Sequence, residues 1–205
     1  MTPVSHATSA HADERRRSFI EAAYRIIAEQ GLKGLRTRTV AAQVGLTHAT
    51  LHYYFPTKET LIQAVIDYAV FQRLLAGFPL GSEESVGTPV EQLRVLLTAL
   101  QQSMQEDMTN VLVLYELVLR AQHDPAIRKL FLREDIFGNW YHGLKFMLEE
   151  GMKQGLFRDD LDTGSASSVL MTFILGLGIT FLVPLPTPPD QMFDQLIRMF
   201  TSTSG

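Results

Sequence analysis

Cysteine is missing from all 205 residues. Its absence removes disulfides, thiolate metal sites and cysteine nucleophiles together, and it suits a cytoplasmic protein. No stretch shows the strict apolar and polar alternation of a half-buried strand, and no internal repeat is present. The phosphate-binding glycine loops, the G-x-S-x-G elbow and the dinucleotide glycine pattern are also lacking. Neither enzymatic chemistry nor a cofactor is therefore expected. Met1 to Asp13 holds no apolar core of the kind a secretory leader needs, and residues 1–12 are expected to form a disordered arm. Long apolar runs are scarce, and only Val169 to Leu185 qualifies. Thr172 and Thr180 interrupt it, Pro184 and Pro186 close it, and no Lys or Arg stands at its ends to orient it in a bilayer. It reads as a buried helix, with no membrane partner.

What is present is ordinary globular material, 46% hydrophobic and 20% charged, long enough for one large domain or two small ones. The net charge of −4 conceals a division. Residues 1–78 hold nine Lys or Arg against six Asp or Glu, whereas residues 79–205 hold nine against sixteen. The cationic surface that phosphates require is confined to the front of the chain.

Helical periodicity dominates. Phe19, Ala22, Ala23, Ile26 and Ile27 form a stripe between Asp13 and Gln30, and Gly31 supplies the stop. Shorter helices are expected over about 37–44 and 48–55. A fourth starts at Thr57, with Glu59 in its first turn, and runs to about Leu75. Residues 77–89 read as a loop. Further helical patterns cover about 90–106, 109–122, 125–154, 163–183 and 189–201, for an all-α chain of about nine helices.

The stretch from Thr37 to Pro56 meets the requirements of a helix-turn-helix. The two helices need a small residue where they touch, and Ala41 stands there. The turn needs a residue at ease with positive φ, and Gly45 follows. Val40, Val44, Leu46 and Leu51 supply apolar residues for packing. With Thr47 as cap, the third helix presents His48, Ala49, Thr50, His52, Tyr53 and Tyr54, a polar and aromatic set suited to base edges and phosphates. Thr37 and Arg38 stand at the start of the second helix and Lys58 at the start of the fourth, where they can hold the DNA backbone. His48 and His52 also have metal-chelating spacing, but no third ligand lies near them, and no metal is expected.

From Phe19 to Val65, and most closely over G-L-T-H-A-T-L-H-Y-Y-F-P-T-K-E at Gly45 to Glu59, the sequence resembles the tetracycline-repressor (TetR) family. The resemblance implies DNA contacts by Thr37, Arg38, His48, Ala49, Thr50, Tyr53, Tyr54 and Lys58. Two departures stand out. His52 occupies a position where the family usually has tyrosine, which bears on base preference. Arg36 replaces a usual Ser or Thr cap, moving the cap to Thr37 or adding a phosphate contact.

Beyond residue 80 the likeness is one of architecture, helped by the G-L-F-R-D-D-L-D turn at Gly155 to Asp162. It implies a DNA-binding domain over 13–78 and a ligand-binding and dimerisation domain over 79–205. Met104, Met108, Tyr115, Glu116, Leu119, Trp140, Phe146 and Phe173 are the candidate ligand residues. Glu116, set in an apolar run, needs a partner such as Arg120, His123 or a cationic ligand unless it faces solvent. Leu170, Phe173, Ile174, Leu177 and Phe181, with Phe193, Leu196, Ile197 and Phe200, are the candidate dimer interface, or else they complete a monomer core. The expected function is a homodimeric, effector-released repressor of a near-palindromic duplex operator. The alternatives are an activator or partner-controlled regulator of the same shape, and a helical small-molecule-binding protein without DNA.

Overall fold

The computed structural model describes residues 4–70 and 87–201, with side chains placed for 11–70, 87–133 and 137–201. Eleven helices lie among the described residues: α1 (Val4–Gly34), α2 (Thr37–Gln43), α3 (His48–Tyr54), α4 (Lys58–Asp67), α5 (Pro89–Glu106), α6 (Thr109–Ala121), α7 (Pro125–Phe131), α8 (Glu134–Lys153), α9 (Thr163–Leu177), α10 (Ile179–Leu182) and α11 (Pro189–Phe200). One isolated antiparallel bridge, Phe157 to Thr201, is the single β feature among them. The architecture is all-α. The expected tail of α4 up to Leu75 and most of the expected loop over 77–89 lie outside the described residues.

The contacts group the helices into two compact units. The first holds α1 to α4 together with α6 and α7; the second holds α5 and α8 to α11. The grouping therefore does not follow a front-to-back split at residue 78, because the segment from Thr109 to Leu132 joins the first unit.

In the first unit the predicted stripe of α1 is the core. Phe19, Ala22 and Ala23 are fully buried, and Ile26 and Ile27 nearly so, each large one contributing about 1.5–3 kcal/mol. The helix begins at Val4 rather than Asp13, so residues 4–12 are helical where an irregular arm was expected. Ala7, Ala10 and Ala12 favour this, having the highest helix propensity and following Pro3 without another breaker. Gly31 takes φ 67° and kinks the chain, as its place at the end of the stripe suggests. Glu116 on α6 answers this kink: its Oε1 accepts from the Leu32 N–H at 2.9 Å. The partner expected for that carboxylate, a cationic side chain or ligand, is instead a backbone amide, which ties α6 to α1.

α4 starts with a full capping box. The Thr57 hydroxyl accepts from the Thr60 N–H at 3.2 Å, and the Thr57 N–H donates to the Thr60 hydroxyl at 3.2 Å. Thr60 takes the place that Glu or Gln usually fills in such a box.

The second unit opens with another such box, Thr88 with Glu91, ahead of α5. There the Glu91 carboxylate is held below its ordinary pKa by the Thr88 backbone and hydroxyl donors. α8 packs on α9 and on α5, and α11 packs on α5. Gly151 lets the buried Phe157 ring lie directly on α8, where a Cβ would strike it. The expected single helix over 125–154 is two, parted at Leu132 and Arg133; no Gly or Pro marks that break. The expected helix over 163–183 likewise divides at Gly178.

Candidate nucleic-acid interface

Three local devices aim α3. Gly45 takes φ 71° in the turn, and the Leu46 N–H donates to the Ala41 carbonyl at 3.0 Å, closing it. Thr47 then caps α3, its hydroxyl accepting from the Thr50 N–H at 3.1 Å. Val40, Ala41 and Leu51 are buried between the helices. Val44 and Leu46 are only half-buried, so the packing rests on fewer residues than the spacing suggested. At the far end of α3, Phe19 of α1 meets the Tyr54 ring at 5.9 Å and the Phe55 ring edge-on at 6.5 Å, while the Arg16 guanidinium lies 5.2 Å from the Phe55 centroid. An aromatic cluster of this kind adds about 0.5–1.5 kcal/mol per pair beyond simple burial and sets the angle of α3.

The expected contact residues divide by environment. Arg38, Ala49, His52, Tyr53 and Lys58 are exposed, with Tyr53 at 82%. Tyr54 is half-buried against Phe19; it serves the aromatic cluster, because its spacing from Leu51 turns its ring inward. Thr50 is half-buried, and its hydroxyl shares a 2.8 Å hydrogen bond with that of Thr47. Thr37 is occupied as well: its hydroxyl lies 2.9 Å from His48 Nε2. Arg36 is the N-cap of α2 without any side-chain cap bond, so the cap does not move to Thr37.

The two histidines of α3 form a pair, with ring centroids 4.3 Å apart in an edge-on arrangement. His48 is held below the usual imidazole pKa, first by desolvation and then by the neighbouring His52 and Arg38. His52 Nδ1 lies 3.2 Å from the Pro56 carbonyl oxygen. Sequence reading missed this partner, because Pro56 lies in the junction between α3 and α4 and the direction of its carbonyl is not written in the residue pattern. The face so built is polar, aromatic and cationic, fixed from behind by Leu51 and Phe19, and it has no use in a purely structural element.

Residues 19–65, which contain α2, α3 and the start of α4, match the family model described as bacterial regulatory proteins, tetR family. Residues 89–203 match the model for the C-terminal part of BetI-type transcriptional repressors. The chain belongs to the TetR family. It is a DNA-binding transcriptional regulator. This TetR-family chain is 24% identical over 150 residues to the transcriptional repressor KstR2 of Mycobacterium tuberculosis, spanning 73% of the chain and 72% of that protein. A transcriptional regulator from Saccharomonospora viridis, solved in complex with choline, superposes with a TM-score of 0.68 at 26% identity, over 91% of this chain and 95% of that one. A TetR regulator from Haloarcula marismortui gives 0.76 at 22% identity over 93% and 100%, a likeness in fold.

The expected ligand residues are divided between the two units. Tyr115, Glu116 and Leu119 belong to the first unit, whereas Met104, Met108, Trp140, Phe146 and Phe173 belong to the second. Leu119 is 70% exposed and Phe146 44%, which places both on the outer sides of their helices. Met104 and Trp140 are buried, and among the described residues the Trp140 indole N–H has no hydrogen-bond partner. A cleft of about 820 Å³ in the second unit is lined by Met152, Phe157, Arg158 and Arg198 among others, and includes none of the expected residues.

Most of the dimer candidates are covered within the protomer. Leu170, Ile174, Leu177, Phe193, Leu196, Ile197 and Phe200 are all buried within the protomer, and Phe173 and Phe181 are half-buried. Phe173 meets Phe193 edge-on at 6.1 Å. On a helix that is apolar all round, periodicity cannot tell the inward stripe from the outward one. The outward stripe is Val169, Leu175, Ile179, Leu182 and Val183, each at least 39% exposed. The stretch Thr163–Leu182 is long and apolar enough to cross a membrane by length and composition, yet its inward side packs on α8.

Proposed function

We propose that the protein is a homodimeric, cytoplasmic repressor that leaves a near-palindromic duplex operator when a small-molecule effector binds its C-terminal helices. The exposed recognition face of α3, held from behind by Leu51 and Phe19, carries the reading. Lys58 and Arg38 flank it as phosphate contacts, adding affinity without sequence preference. Two copies of α3, one from each protomer, enter successive major grooves about 34–36 Å apart. The effector favours a state in which that spacing no longer matches the DNA repeat, and it acts only to the extent that it prefers that state.

Support for the dimer comes from the outward apolar stripe of α9 and α10, Val169 to Val183, together with Met199 of α11, 56% exposed. Exposed apolar residues grouped along one side of a helix favour an association site, and pairing two helices from each chain buries them in a four-helix contact. Support for an effector comes from relatives. The Saccharomonospora viridis regulator was solved with choline, and a 28% identical repressor from Paenarthrobacter nicotinovorans is nicotine-responsive. The test is duplex binding to the DNA upstream of the protein's own gene. A sequence-selective, salt-sensitive complex of two chains per site is expected, and its absence would sink the reading.

A further inference from the structure

A carbonyl oxygen accepts hydrogen bonds and cannot donate them, so the contact between His52 and Pro56 fixes a tautomer. With Nδ1 placed 3.2 Å from the Pro56 oxygen, the proton of the neutral ring sits on Nδ1, and Nε2 keeps its lone pair. The ring is exposed on α3, and no hydrogen bond to Nε2 is found among the described residues. His48, one helical turn earlier, meets the ring edge-on at 4.3 Å and limits its rotation. Pro56 follows the buried Phe55, so the carbonyl that sets the tautomer is anchored at the junction between α3 and α4. His52 is thereby a pre-oriented acceptor on the face that the preceding reading turns toward DNA.

In the major groove, acceptors on the protein are matched by the exocyclic amino groups, N6 of adenine and N4 of cytosine. Guanine O6 and N7 and thymine O4 are acceptors themselves and would face the Nε2 lone pair without a proton between them. We propose that His52 is a specificity-determining residue, its Nε2 accepting a hydrogen bond from a base amino group at one position of each half-site. The side chain discriminates through the atom that Pro56 leaves free, and His48 keeps it in register. The inference rests on α3 being the DNA-reading helix.

The experiment has two arms, both on the full-length protein. Nitrogen-15 NMR of the histidine side chains at pH 8 reads the tautomer directly. A proton on Nδ1 of His52 is expected, and a proton on Nε2 would overturn the proposal. Selection from a randomised duplex pool at the same pH reads the preference. The wild type should enrich adenine or cytosine at one position per half-site by about tenfold, the order of one good base contact. His52→Phe should lose that preference while keeping the others, and His52→Gln should keep it, because its amide oxygen also accepts from an amino group. If His52→Phe retains every preference, or weakens all sequences alike, the proposal fails and DNA reading by α3 stands. If the wild type selects no sequence, the underlying reading fails with it.

Discussion

α3 and α9 each turn one side inward and leave the other to solvent, and their outward sides differ in kind. α3 sends Leu51 into the core and leaves imidazole, phenol and methyl groups outside. α9 sends Leu170, Ile174 and Leu177 inward and leaves Val169 and Leu175 outside. A polar, aromatic outer side is content in water and finds its use at a charged surface such as DNA. An apolar outer side is not, and under the function proposed above it is the side on which a second copy packs. On that proposal, the same amphipathic logic yields an instrument for reading in one region and a means of assembly in the other.

That contrast can be broken most directly by removing what lies behind each helix. Phe19→Ala should cost about 3–5 kcal/mol, seen as a lower midpoint in urea and lost DNA binding, because both Tyr54 and Phe55 lose their backing. Leu170→Ala should cost about 2–5 kcal/mol, whereas Val169→Ser next to it should change protomer stability by no more than about 0.5 kcal/mol. Equal costs for the two would mean that the sides of α9 are assigned wrongly.

Ile179→Asp sharpens the comparison from the outer side. It should leave the folded protomer intact, as judged by circular dichroism, and convert dimer to monomer in sedimentation; a dimer of unchanged strength would refute the assembly face. Gly45→Ala comes next in size. A Cβ there meets nothing within 4 Å, so the cost is conformational alone, about 1–2 kcal/mol for a left-handed residue, measurable by thermal melting.

The smallest effect is on pH. His48 is held below its ordinary value by desolvation, by His52 on α3 and by Arg38 on α2. Its neutral form is favoured by folding, so its contribution to stability is fully present above the unfolded histidine value of about 6.5 and fades as pH falls below it. Protonation of His48 at acid pH adds charge to the recognition face. The salt dependence of non-specific duplex binding should then steepen by up to about one unit of slope relative to pH 7.5. An unchanged slope would show that His48 stands away from phosphate.

Much of the reading surface was legible because its signals are local. The α1 stripe, Gly31, Gly45 and the caps at Thr47 and Thr57 act over a few residues, and the chain states them in order. What escaped was set by distant partners or by symmetry in composition. Glu116 finds the Leu32 amide 84 positions away, a pairing no window reveals. The break between α7 and α8 falls at Leu132 and Arg133, with neither Gly nor Pro to announce it. α9 is apolar on both sides, so its spacing fits two orientations, and only the packing shows which side the protomer itself buries. Tyr54 looked like its neighbour Tyr53 until Phe19 claimed it.

The hydrogen bond from Leu32 to Glu116 also bears on where this protein can be divided. The helix it recruits, α6, is encoded after α5, so the unit that reads DNA is written in two separate passages of the gene. A fragment ending near residue 76 would lack α6 and α7. It would leave the α1 kink with an unanswered amide and bare the apolar residues that α6 covers. A working exchange of DNA-binding heads between such regulators must therefore carry the passage from Thr109 to Leu132 with it, and a graft made at a single junction would separate parts that fold as one.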